Sequence, residues 1–202
     1  MRHIAKGDHV HWLIFTTISK KLGYSESHVK SRAYEIEQVE KAYSFSSTTQ
    51  FNYLTTRLDT YPKAELVQSV AKVVDLIKPS TIYLPNFNDA HSDHSFVFDA
   101  AAACTKSFRF PSVKKVRVYE TISETEFAIR PGNVGFKPNL YIEISKYLDK
   151  KINIMKLFSG EMGAHPFPRS EVNLRALAHF RGAIAGVQAA EAFISLIDLE
   201  IG

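Results

Sequence analysis

The chain has 202 residues, 45% of them hydrophobic and 23% charged, which places it among ordinary globular proteins with length for one well-buried core. Its formal charge of +4 comes from scattered basic residues, and the densest groups (Lys114, Lys115, Arg117 and Lys146, Lys150, Lys151) are short; this reads as a solvated face and argues against nucleic acid as a partner. One cysteine, Cys104, excludes a disulfide within the chain, and no apolar run reaches the roughly 18 residues of a membrane span, so a cytoplasmic protein with no membrane partner is expected.

Residues His9 to Thr17 begin with alternation and become continuously apolar, which predicts a buried strand ending near Thr16 and Thr17. Ser25 can cap a helix running to about Ala42, with Val29, Ala33, Ile36, Val39 and Ala42 at spacings of three and four. Ser44 to Asn52 reads as a polar loop. A second helix starts around Pro62, passes through Leu66, Val67, Val70, Val73, Val74 and Ile77, and stops before Pro79. It feeds a strand at Thr81 to Leu84.

After the next loop the pattern predicts a helix from about Asp93 to Lys106, a strand at Val113 to Glu120 and an irregular segment from Thr121 to Asn139 containing Pro131, Gly132, Gly135 and Pro138. A strand at Leu140 to Ile144 then leads to a helix capped by Ser145. The last predicted helix spans about Ser170 to Leu199; its many Ala and Gly residues suggest close packing, against the chain itself or a second copy in a homo-oligomer. The βαβαβ order argues for the α/β class, a single domain over 1–202 and a mainly parallel sheet with right-handed crossovers.

The chemistry concentrates between the third predicted strand and its helix, in Pro85-Asn86-Phe87-Asn88-Asp89-Ala90-His91-Ser92-Asp93-His94. Open α/β sheets bind ligands beyond the carboxyl ends of their strands, where the next helix starts. The spacing of three puts His91 and His94 on one side of a helical turn, with Asp93 able to reach a neighbouring ring nitrogen. Neutral imidazole is a good zinc ligand, but a catalytic zinc usually needs three protein ligands and a water, so the pair alone is an incomplete set. On the residues alone a hydrolase site and a polar loop with a helix-capping histidine both stay open. A nucleotide-binding domain is disfavoured, since no Gly-x-Gly-x-x-Gly or phosphate-loop lysine motif follows a predicted strand. The Thr121 to Asn139 segment and the turn His165-Pro166-Phe167-Pro168 are the most loop-like stretches able to rim a pocket, with Phe127, Phe136 and Phe167 as candidate sugar-stacking rings.

The stretch from Tyr83-Leu84-Pro85-Asn86 through His91-Ser92-Asp93-His94, with Phe98-Asp99-Ala100 after it, resembles the second metal motif of the LmbE/PIG-L N-deacetylases. The resemblance extends to Arg2 through Asp8, the Arg32 to Glu35 helix, Tyr119-Glu120-Thr121 and Arg181-Gly182 through Ala190-Glu191-Ala192. It implies a Rossmann-like three-layer sandwich and zinc-dependent hydrolysis of the N-acetyl group of N-acetylglucosamine-type sugars. By that likeness His94 is the zinc ligand, and His91 stabilises the oxyanion or protonates the leaving amine. Asp93 then orients an imidazole, and Arg32 and Asn88 contact the sugar or its conjugate.

The family's first motif, His-Pro-Asp-Asp after an N-terminal strand, has no counterpart in these 202 residues, and the domain is therefore expected to be N-terminally incomplete. In the family that motif supplies two zinc ligands and the carboxylate that deprotonates water. Two readings follow: a sugar N-deacetylase, or a catalytically inactive sugar-binding or assembly protein with the same fold. His9 and His11 lie at the wrong end of their strand to replace the missing ligands, and His165 is the better outside candidate.

Overall fold

A computed structural model describes residues 1–129 and 135–200. The chain is mixed α/β and divides into two compact units, Met1–Thr55 with Ile142–Glu191, and Thr56–Tyr141 with Ala192–Gly202. Among the described residues no helix is long and apolar enough to cross a membrane.

The first unit opens with a short helix, α1 (Arg2–Ala5), and strand β1 (His11–Thr17). Helix α2 (Glu26–Tyr43) starts where the Ser25 hydroxyl accepts from the His28 amide at 3.1 Å, and ends at Ser44 in the left-handed region, φ 60°. Its inward face carries Val39 and the carboxylate of Glu35, both buried. The Ser44 to Asn52 segment is not a loop throughout: Ser47–Leu54 forms β2, parallel to β1 with His11 opposite Ser47 and Thr17 opposite Leu54. Polar Ser47, Thr48, Thr49 and Gln50 hid it, because a strand with little buried surface need not alternate strongly.

Later in this unit a 3₁₀ turn (Ser145–Tyr147) precedes α5 (Leu148–Met155), so the predicted Ser145 cap is displaced; its hydroxyl instead accepts from the Ala189 amide at 3.2 Å. Helix α6 (Glu171–Ala185) is capped by buried Ser170. Ile144, Leu148, Ile152, Ala178 and Ala189 form a core that Leu174 covers. The predicted helix to Leu199 is corrected: α6 stops at Gly186, φ 71°, and Ala190–Asp198 is strand β6. The reversal brings the backbone so close to α6 that a Cβ on Gly182 would lie 2.6 Å from the Val187 carbonyl oxygen. That small residue serves the chain's own turn.

In the second unit α3 (Lys63–Ile77) follows Pro62, buries Leu66, Val70 and Val74, and ends at Lys78. Burying three such side chains contributes about 1.5–3 kcal/mol each relative to leaving them in water. Strand β3 (Thr81–Pro85) leads into α4 (Ser92–Ala102), which packs on α3 and β3 and tightens into a 3₁₀ turn to Thr105. Strand β4 (Lys115–Tyr119) buries alternate Val116 and Val118 and runs parallel to β3. Between them, β5 (Leu140–Glu143) and β6 complete a sheet of order β3-β4-β6-β5. The mainly parallel expectation holds for β1-β2 and β3-β4, but β6 is antiparallel to β4, since the chain re-enters the sheet by a tight turn with no crossover helix. Pro131 and Gly132 lie outside the described residues; the described flanks of the Thr121 to Asn139 segment contain no helix or strand.

Candidate active site

Pro85 closes β3 without a ladder donor, and the chain turns through Asn86, Phe87 and Asn88 to reach α4. Asn86 and Asp89 are both buried, and the Asn86 amide donates to Asp89 Oδ1 at 2.9 Å. Thr125 donates its hydroxyl to the same oxygen at 2.7 Å, while the Ala90 amide donates to the Glu124 carbonyl at 3.1 Å. The turn at 121–125 thereby closes over the loop. A buried carboxylate is costly unless donors surround it, and Asp89, 1% exposed, has them.

The third donor is a ring nitrogen: His94 Nδ1 lies 2.6 Å from Asp89 Oδ2. With Nδ1–H given to the carboxylate, neutral His94 keeps its lone pair on Nε2. His91 has the opposite tautomer. It is the N-cap of α4, and its Nδ1 accepts the Asp93 backbone amide at 3.2 Å, which leaves the ring proton on Nε2. The two rings stack with centroids 5.1 Å apart and planes 17° from parallel. One imidazole thus offers an acceptor and its neighbour a donor.

The structure brings His91 and His94 together as the sequence suggested, and places Asn88 half-buried in the same loop. Asp93 differs from expectation: its carboxylate accepts from the Thr56 amide at 2.7 Å and the Leu58 amide at 3.4 Å, fastening the turn before α3. Asp89 takes the orienting role, with Asn86 and Thr125 as supports. Both Asp89 and Asp93 lie in the loop, and adjacency to His94 in the sequence favours Asp93. Tyr119 ends β4 with its phenol pushed up to about 12, first by burial and then by the negative charge of Asp89, although 37% of the residue is exposed. It stays protonated as a hydrogen-bond donor.

Arg32 belongs to the other unit. Its guanidinium is held by Glu161 at 2.6 Å and Glu35 at 3.4 Å and lies over the Phe158 ring. Glu35 also accepts the Ser159 amide at 3.1 Å and the Ser159 hydroxyl. A cleft of about 510 Å³ in this unit is lined by Trp12, Tyr24, His28, Arg32, Gln50 and Phe158 among others. His9 and His11 are tied to the Ser46 and Ser47 hydroxyls, and His165 is exposed. Among the described residues no three His, Cys, Asp or Glu side chains converge as a metal-binding group.

The family model described as PIG-L, GlcNAc-PI de-N-acetylase, matches residues 1–105. Among solved structures, N,N'-diacetylchitobiose deacetylase from Pyrococcus horikoshii, complexed with its inhibitor MPG, is 17% identical with a TM-score of 0.74, over 97% of this chain and 76% of that one. The 4-carboxy-2-hydroxymuconate hydratase GalB from Pseudomonas putida KT2440 is 16% identical with a TM-score of 0.72, over 100% and 89%. The zinc-inhibited form of teicoplanin deacetylase Orf2 is 14% identical with a TM-score of 0.66, over 96% and 89%. At these identities the likeness establishes the LmbE-like fold, and a hydratase among the matches shows that the fold alone does not set the reaction.

Proposed function

Because the chain belongs to the PIG-L, GlcNAc-PI de-N-acetylase family, we propose that it is an N-deacetylase acting on an N-acetylglucosamine-type sugar or sugar conjugate, releasing acetate and a free amine. The observation that carries this reading is the Asp89–His94 pair beside His91, with an Nε2 acceptor next to an Nε2–H donor. Amide hydrolysis needs both. Water must lose a proton as its oxygen adds to the acetyl carbon, and the carbonyl oxygen must be stabilised as it becomes an oxyanion. His94 Nε2 is placed to take the first proton, with Asp89 balancing the imidazolium. His91 Nε2–H is placed to donate to the oxyanion. When the carbon–nitrogen bond breaks, the proton held on His94 goes to the departing nitrogen, so that atoms and charge balance.

Zinc, which the family resemblance implies, would find one built ligand here, His94 Nε2, whose ring is already fixed by a carboxylate; an ion held there would occupy the lone pair that otherwise takes the water's proton. The described residues do not assemble the usual three-ligand set, so the residues present do not fit a complete zinc site, and no step above passes through the ion. The same observation favours a second reading, a catalytically inactive sugar-binding or assembly protein. One buried cysteine suits the reducing cytoplasm proposed for either.

The test is acetate release from N-acetylglucosamine and its conjugates by the 202-residue chain, with and without added zinc. The deacetylase reading expects release that His94→Ala abolishes and His91→Ala slows about 100-fold or more. Sugar binding without any acetate would establish the second reading instead.

A further inference from the structure

We propose that Phe87 and Phe98 form an aromatic platform beside the imidazoles on which the pyranose ring of the substrate stacks. This inference rests on the sugar N-deacetylase reading. Phe87 occupies the turn between buried Asn86 and buried Asp89, yet 41% of it is exposed. Core packing does not require a phenylalanine there, and leaving so large an apolar ring open to water forgoes part of the ~1.5–3 kcal/mol that burial contributes. The ring is nevertheless fixed: its centroid is 5.1 Å from that of Phe98, with the planes tilted by 47°.

Phe98 is the fourth residue after His94 on α4, so the two side chains share a helix face. His91 stacks on His94 from the helix cap. The imidazole pair and the Phe87–Phe98 pair are therefore two parts of one strip, related by the one-turn spacing of His94 and Phe98 on α4. An acetamido group held at the imidazoles has its sugar ring one bond away from the amide nitrogen, over the adjoining part of this strip. The axial C–H face of a pyranose is apolar and suits an aromatic ring, while its rim of hydroxyls needs polar partners. Asn88, half-buried and next to Phe87 in the loop, carries a side-chain amide of the kind those hydroxyls need.

The experiment is an NMR titration of the full chain with methyl N-acetyl-β-glucosaminide, comparing the unmutated protein with Phe87→Ala and Phe87→Tyr. The expected result is NOEs from the Phe87 ring to the sugar's axial protons, a Kd raised about tenfold by Phe87→Ala, and recovery in Phe87→Tyr. Phe87→Tyr keeps the ring and its contact with Phe98, so its unfolding temperature should match that of the unmutated protein, and it controls for any stability that Phe87→Ala loses. If the unmutated chain binds the glycoside and Phe87→Ala binds it as tightly, the platform is overturned while the deacetylase reading stands. Absence of sugar binding in the unmutated chain overturns the platform and the sugar reading together.

Discussion

Replacing Asp89 by asparagine separates the orienting role of this carboxylate from its bulk. The amide is the same size, so its oxygen can go on accepting from Asn86 and Thr125, now 2.9 and 2.7 Å away. Its NH₂ group then faces His94 Nδ1, which at 2.6 Å from Asp89 Oδ2 donates in the unmutated chain. Two donors cannot share that contact, and His94 must move its proton to Nε2. The loss of one charge-assisted hydrogen bond in a buried setting should destabilise the fold by about 2–3 kcal/mol. For a chain of this length that lowers the unfolding temperature by roughly 5–10 °C. Loss of the Nε2 acceptor should lower acetate release at least 10–100-fold, the usual effect of removing such an orienting partner. Nitrogen-15 correlation spectra of the histidine ring report the tautomer directly, whether or not the chain turns over. An Asp89→Asn protein in which His94 keeps its proton on Nδ1 and its unfolding temperature would refute the argument.

Gly182→Ala places a methyl group 2.6 Å from the Val187 carbonyl and 2.8 Å from the Ala189 backbone, neither of which can move without opening the α6–β6 turn. A loss of about 2–3 kcal/mol in denaturant unfolding is expected, whereas an alanine in an ordinary helix should stabilise. Ser25→Ala removes the acceptor for the His28 amide and should cost about 1 kcal/mol by the same measurement. The Tyr43 phenol, stacked on Phe45, is pushed up to about 12 from 10.0, chiefly by burial and further by Glu191. Because the folded value exceeds the unfolded one, its contribution is fully present below pH 10 and is lost as pH rises toward 12, up to about 2–3 kcal/mol. Tyr43→Phe should flatten that part of the stability–pH curve; an unchanged curve would show that the phenol is not desolvated.

Much of the second unit was legible because its signals are local. The α3 stripe of Leu66, Val70 and Val74 repeats every four residues, Pro62 and Pro79 bracket it, and an apolar run follows. The His91 and His94 pairing was equally readable, since a spacing of three at a helix start sets their geometry without help from the rest of the chain. The α6–β6 boundary was not. Ala183 to Ala192 favours helix by composition, and the chain leaves it because Gly186 adopts a left-handed turn and Phe193, Ile194 and Ile197 gain a place beside β4.

Local sequence thus determined where the two imidazoles stand and that a helix begins beneath them. Which carboxylate serves His94 was decided by tertiary contacts. Asp93 is nearer in sequence, but as the second residue of α4 it faces the amides of Thr56 and Leu58, from 37 and 35 positions away. Asp89 has Asn86 and His94 as local partners, and Thr125, 36 residues later, brings a second donor to the oxygen that Asn86 holds, while the other oxygen meets His94. A buried charge depends on all of its donors, and no pattern within ten residues records that Thr125 arrives to complete this set.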